Sequence, residues 1–372
     1  MTKTVFNTKN VDFTKQFMFF GEDQGIARYD IQKFPKLDQF TEKQLSFFWR
    51  PEEVDVTKDK QDYANMGDHE RHIFVSNIKY QTLLDSIQGR APSLAFLPIC
   101  SLPELETWID TWTFSETVHS RSYTHLIRNV INDPSEVFDN ILNVPEIMNR
   151  AKPISDNYDK LINSFTDGSS LKQQKLNLFK SMVTTYALEA IRFYVSFACT
   201  FALGEQEKME GNAKIVSLIA RDEFLHQGST HFIITRWLSG LDDPEMMEIA
   251  RNNIKFIRDT FSQVVEQEKL WAKYLFQGGS IIGLNEKLLT DYLYYLADQR
   301  MMDLVSPVVQ GSKKDYGFES LYDCPSNPLP WMDSWLQNSA VQVAPQETEI
   351  RSYLVGQVDT NLDDDFMGAL DF

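Results

Sequence analysis

From about Lys36 to Met302, apolar residues recur at three-and-four spacing, as in Ile73, Ile78, Leu83, Leu84 and Ile87. That period matches one face of an α-helix, and the strict alternation of a half-buried strand is nearly absent. The breaks carry helix punctuation: Gly89-Arg-Ala-Pro92, Asn132-Asp-Pro134, Val144-Pro145, Thr166-Asp-Gly168 and Gly278-Gly279 can each end one helix and begin another. The pattern predicts an all-α fold, with one helical domain over residues 1–343. Between Tyr186 and Phe201 the residues are apolar or aromatic nearly all round, which places that helix at the centre of a bundle. From about Ser306 to Val343 the periodicity fades, and Cys324-Pro-Ser-Asn-Pro-Leu-Pro-Trp331 resists helix, so loops and short helices are expected there. Residues 344–372 mix charged with apolar positions and end acidic and hydrophobic, as a flexible tail does.

Composition narrows the function. A chain of 372 residues with 42% hydrophobic positions can bury a sizeable core. Its net charge of -17 argues against nucleic acid or an anionic membrane as partner, because both need a clustered basic surface. Cys100, Cys199 and Cys324 stand far apart, with neither the pairing of a zinc site nor a disulfide framework, and fit a reducing cytosol. The amino terminus lacks the apolar core of a signal peptide, and no uninterrupted apolar run approaches membrane-spanning length, so a soluble, cytoplasmic protein is expected. Neither Gly-x-x-x-x-Gly-Lys nor Gly-x-Gly-x-x-Gly occurs, so no phosphate-cradling loop is offered to a nucleotide.

Two short signatures carry chemistry: Glu116-Thr-Val-His119 and Glu223-Phe-Leu-His226, each inside a strongly helical segment. A spacing of three puts both side chains on one helix face, about 4.5 Å apart along the axis, so each pair can hold one metal ion. Di-iron carboxylate bundles combine a Glu-x-x-His pair from each of two helices with a single carboxylate from each of two others. Asp85, on an otherwise apolar helix face, and Glu189, the lone acid of the aromatic helix, are the candidates for those two. A buried carboxylate without a partner is costly or takes up a proton, whereas bound cations stabilise its anion. Oxygen donors with imidazole suit iron, with manganese as a substitute. Tyr123 lies one turn past His119 on the same face, about 6 Å further along the axis, near the metals without being needed as a ligand. Phe193, Phe197 and Ile219 occupy helix faces that could wall it off, an arrangement that equally suits plain packing. His69 and His72 share a face, but Asp68, Glu70 and Arg71 surround them and favour a solvated helix.

At these residues the chain resembles the class Ia ribonucleoside-diphosphate reductase small subunit, of the ferritin-like di-iron carboxylate superfamily. The resemblance rests on Glu42-Lys-Gln-Leu-Ser-Phe-Phe-Trp-Arg-Pro-Glu-Glu53, Tyr80-Gln-Thr-Leu-Leu-Asp-Ser-Ile-Gln-Gly89, Phe114-Ser-Glu-Thr-Val-His-Ser-Arg-Ser-Tyr-Thr-His125, Glu189-Ala-Ile-Arg-Phe-Tyr-Val-Ser-Phe197 and Ala220-Arg-Asp-Glu223. It implies a ferritin-like bundle in which Asp85, Glu116 and His119 hold one iron and Glu189, Glu223 and His226 the other, with Glu116 bridging an Fe-O-Fe centre. It further implies that dioxygen and a reductant activate the centre and leave a stable radical on Tyr123. Trp49, Asp222 and His119 would relay the oxidising equivalent. Tyr353 would hand it to the large subunit, onto which the tail 344–372 docks, for reduction of ribonucleoside diphosphates in a thioredoxin- or glutaredoxin-dependent holoenzyme. A homodimer in the cytoplasm, or in host cytoplasm if the chain is viral, is implied too. The chain departs from the pattern between about Ile154 and Leu176, where many relatives carry a longer insertion. A di-iron oxygenase or desaturase is the alternative reading, since it would use the same six ligands; a ferritin-like store would leave the tail unexplained.

Overall fold

A computed structural model of the chain describes residues 4–309, 322 and 324–338. Its helices are α1 (Pro35–Ser46), α2 (Thr57–Asn65), α3 (Asp68–Gln88), α4 (Pro103–Val130), α5 (Pro134–Phe138), α6 (Pro145–Ser164), α7 (Leu171–Ala187), α8 (Phe193–Gly204), α9 (Glu210–Ser239), α10 (Pro244–Asn252), α11 (Ile254–Leu275), α12 (Glu286–Val309) and α13 (Trp331–Asn338). Among the described residues there is no β-strand, only the isolated bridges Phe19–Cys100 and Ile281–Leu284. Proline opens α1, α4, α5, α6 and α10, where its missing N–H costs no helical bond and its fixed φ suits the first turn. The sequence breaks fall where expected: α3 stops before Gly89, α5 and α6 begin at their prolines, and Gly168 adopts a positive φ ahead of α7.

The core is a bundle in which α3 packs on α4 and α8, α9 packs on α7 and α8, and α1 lies over α4. At its centre, Leu171–Gly204 runs unbroken for 34 residues through α7, a π-helical turn at Leu188–Arg192, and α8. This run corrects one expectation: an 18-residue window within it has a mean hydropathy of 1.3, so by length and composition the helix could cross a membrane. Every residue of that apolar window is buried inside the bundle, so protein takes the place lipid would have. Glu189 and Arg192 both sit in the π turn, fully buried. A π turn shifts the phase of a helix by inserting a residue, and such turns concentrate at functional positions. His72 also differs from expectation: its ring packs on Tyr274 at 4.9 Å and its Nε2 lies 3.0 Å from the Tyr274 carbonyl, so it is tied into the fold. Tyr353 and the tail 344–372 lie outside the described residues.

Candidate metal centre

Four segments converge on one interior point. Helix α3 supplies Asp85, α4 supplies Glu116 and His119, the π turn supplies Glu189, and α9 supplies Glu223 and His226. All six are completely buried. Their donor atoms form two overlapping groups, Asp85 with Glu116 and His119, and Glu116 with Glu189, Glu223 and His226; within each, the atoms lie within 4.8 Å of one another. Glu116 belongs to both groups. Its Oε1 is 2.9 Å from His226 Nδ1 and its Oε2 is 3.3 Å from His119 Nδ1. Glu223 straddles the same two rings, with Oε1 3.2 Å from His119 Nδ1 and Oε2 3.4 Å from His226 Nδ1. The family resemblance implies Glu116 as the shared carboxylate; a second straddling acid was not legible in the sequence.

The donor set suits a pair of cations. Oε2 of Glu189 has no hydrogen-bond partner and Asp85 meets only the Tyr123 hydroxyl, although burial makes an unpartnered carboxylate oxygen costly. Among the described residues no lysine or arginine pairs with any of the four acids, so their neutralisation falls to the histidines or to bound metal. Burial, and then the charge of Glu116, push the Asp85 carboxyl well above its usual range. Burial also raises Glu189. For Glu116, burial is outweighed by the charge of His226 and by hydrogen bonds from both histidines, and its pKa falls to about 2. His226, in turn, is held up at about 10 against burial, chiefly by Glu116. Without metal, then, protons do the neutralising.

A shell of fixed donors surrounds the six. Trp112 Nε1 donates to Glu116 Oε1 at 3.0 Å and Gln88 Nε2 donates to Glu189 Oε1 at 3.0 Å. His119 presents Nδ1 to the acids while its Nε2 lies 3.1 Å from Asp222 Oδ2; the same oxygen accepts from Trp49 Nε1 at 2.8 Å and from Ser115 Oγ at 3.3 Å. Trp49, Asp222 and His119 thus form one continuous buried connection across three segments. Hydrogen bonding to His119 keeps Asp222 ionised below the usual carboxylate range despite its burial. Trp112, Gln88 and Ser115 were missed in the sequence. The signals were there for two of them: Trp112 stands one turn before Glu116 on its face, and Gln88 one turn after Asp85.

Tyr123 is completely buried, and its hydroxyl faces the Asp85 carboxylate. Burial, followed by the charges of Asp85 and Glu223, raises its pKa far above that of a free phenol. Phe193, Phe197 and Ile219 are completely buried as well, the two phenylalanine rings stacked 5.9 Å apart on α8.

Comparison with known proteins accords with this geometry. Residues 29–312 match the family described as ribonucleotide reductase, small chain. The chain is 50% identical to ribonucleoside-diphosphate reductase 1 subunit beta of Escherichia coli O157:H7, covering 98% of each chain. It is 51% identical to the beta subunit of Haemophilus influenzae over 98% of this chain and 100% of that one. The fold superposes on the ribonucleotide reductase R2 subunit from Clostridium botulinum with a TM-score of 0.74 and 25% identity, covering 90% of this chain and 98% of the other. A fold, a buried carboxylate–histidine cluster and full-length identity agree, and the chain belongs to the ribonucleotide reductase small-chain family.

Proposed function

We propose that in this reductase small chain Asp85, Glu116 and His119 hold one iron ion and Glu189, Glu223 and His226 a second, with Glu116 shared, and that Tyr123 carries the radical. The observation that carries the reading is the convergence of unpartnered, fully buried carboxylate oxygens and two imidazole Nδ1 atoms beside a buried phenol. When bound, such a metal pair supplies the capacity to reduce dioxygen and to oxidise a nearby side chain.

The protein's part is to position and to insulate. Asp222 fixes the His119 ring through Nε2 and so presents Nδ1 to the metal, as ligating histidines require. Because burial keeps Tyr123 protonated, its oxidation releases an electron and a proton together. Phe193, Phe197 and Ile219 exclude water from its neighbourhood and so lengthen the life of the radical. Trp49, joined to His119 through the Asp222 carboxylate, offers the outward path, and Tyr353 in the tail 344–372 continues it to a large subunit that reduces ribonucleoside diphosphates. The helical domain 1–343 is proposed to work as a cytoplasmic homodimer, activated by dioxygen and a reductant.

The test is low-temperature electron paramagnetic resonance on metal-free protein reconstituted with ferrous iron and oxygen, with metal counted on the same sample. A tyrosyl doublet with about two irons per chain is expected. Tyr123→Phe should keep its metal and lose the doublet completely; an undiminished doublet in that variant would sink the assignment.

A further inference from the structure

Asp85 and Glu189 are each a single acid contributed by its own segment, yet the fold treats them differently. Asp85 meets the Tyr123 hydroxyl, which has no further partner behind it, whereas Glu189 Oε1 accepts from Gln88 Nε2 at 3.0 Å and its Oε2 has no partner. The Gln88 amide is itself held. Its Oε1 lies 2.7 Å from the Tyr158 hydroxyl, which also lies 2.6 Å from Thr185 Oγ1. Gln88 and Thr185 are completely buried and Tyr158 almost so, and the four residues come from α3, the π turn, α6 and α7.

Counting protons fixes the direction of this chain. Tyr158 has one hydroxyl proton. If it went to Thr185, Gln88 would have to turn its NH2 group to Tyr158 and its carbonyl to Glu189. Two acceptor oxygens would then face each other about 3 Å apart across a buried contact. An ionised Glu189, which a metal ligand must be, forbids that arrangement. Tyr158 therefore donates to the Gln88 carbonyl and Gln88 to Glu189 Oε1, while the single Thr185 proton is shared between the Tyr158 oxygen and the Ser181 carbonyl, 2.9 Å away. We infer that Thr185, Tyr158 and Gln88 are positioning residues that hold Glu189 as a one-oxygen ligand, whereas Asp85 meets the Tyr123 hydroxyl and has no comparable chain of buried donors behind it.

The two metal positions then differ in how firmly they are held: one end of the centre is backed by three side chains, the other by the Tyr123 hydroxyl. This inference rests on the proposed ligand set, and the test separates the two. Ferrous iron is titrated anaerobically into wild type, Gln88→Leu, Tyr158→Phe and Thr185→Val, and the loaded samples are compared by Mössbauer spectroscopy. Wild type binding two irons per chain upholds the ligand set, and wild type binding none overturns that set and with it the inference. Given a loaded wild type, Gln88→Leu should weaken one of the two irons about tenfold and alter the spectrum of that iron alone. Tyr158→Phe, which preserves shape and removes the donor to Gln88, should shift the same component in the same direction by less, and Thr185→Val by least. Thermal melting of the metal-free variants controls for folding. If Gln88→Leu fails to fold, Tyr158→Phe decides alone. Wild-type affinity and an unchanged spectrum in the folded variants would overturn the inference, as would an equal change at both irons.

Discussion

Two acid clusters lie buried in this bundle, and their contrast is instructive. Glu268 on α11 is completely buried, as are the four acids of the proposed metal centre. Its carboxylate is fully matched: Arg150 of α6 binds both oxygens, Arg192 of the π turn donates to Oε1 at 2.7 Å, and Tyr80 of α3 donates at 3.3 Å. The Arg150 guanidinium also stacks 3.4 Å from the Tyr80 ring centroid and 4.2 Å from that of Trp271. Here the protein supplies its own cations and the result is a four-way fastening. Around Asp85, Glu116, Glu189 and Glu223 it supplies only two histidines and leaves oxygens bare. Burial by itself therefore does not mark a functional acid. The discriminating sign is several buried acids gathered on one point without a resident lysine or arginine, an arrangement that bound cations complete.

The contrast can be broken at three points. The largest effect belongs to the fastening: Glu268→Gln strands two guanidinium groups in the core and should lower stability by about 3–5 kcal/mol, in metal-free and loaded protein alike. Denaturant unfolding of both forms checks this; a loss confined to the loaded form would make Glu268 part of the metal centre. The intermediate effect concerns pH. His226 is raised to about 10 and His119 and Asp85 are raised as well, so at neutral pH the empty site holds protons that metal must displace. Metal affinity should therefore rise between pH 6 and 8, by about tenfold per pH unit for each proton released. Calorimetric titration in buffers of different ionisation enthalpy counts those protons, and a pH-independent affinity would refute the protonated empty site. The smallest effect is Asp85→Asn. With its carboxyl pushed toward the neutral form by burial, an amide should change metal-free stability by less than about 1 kcal/mol while weakening the iron at that position. A large metal-free loss would make Asp85 structural, like Glu268.

The same contrast shows what was legible in the sequence and why. Glu116 with His119, and Glu223 with His226, were readable because each pair lies within one helical turn, where spacing dictates geometry. Asp85 and Glu189 were readable as lone acids in apolar surroundings. The Glu268 fastening was invisible: its partners stand 76 to 188 positions away, and nothing local distinguishes Arg150 or Arg192 from surface arginines. The π turn was hidden for a related reason. Leu188–Arg192 has ordinary helical composition, and the extra residue is accommodated by packing against α9, α7 and α12. The helix breaks and the two Glu-x-x-His pairs were thus local information, whereas the shared reach of Glu223, the Gln88 hydrogen bond and the anchoring of Arg192 are products of assembly.

The central run Leu171–Gly204 has a further consequence during synthesis. As it leaves the ribosome, before α9 exists to cover it, it presents an 18-residue window whose length and apolarity would satisfy a membrane-insertion apparatus. The two charges of its π turn oppose that fate, since an arginine at the middle of a span costs about 2.5–3.5 kcal/mol to insert and an acid adds to the penalty. Glu189 and Arg192, in the finished bundle a proposed ligand and a fastening, thus also weigh against diversion of the nascent chain into a bilayer.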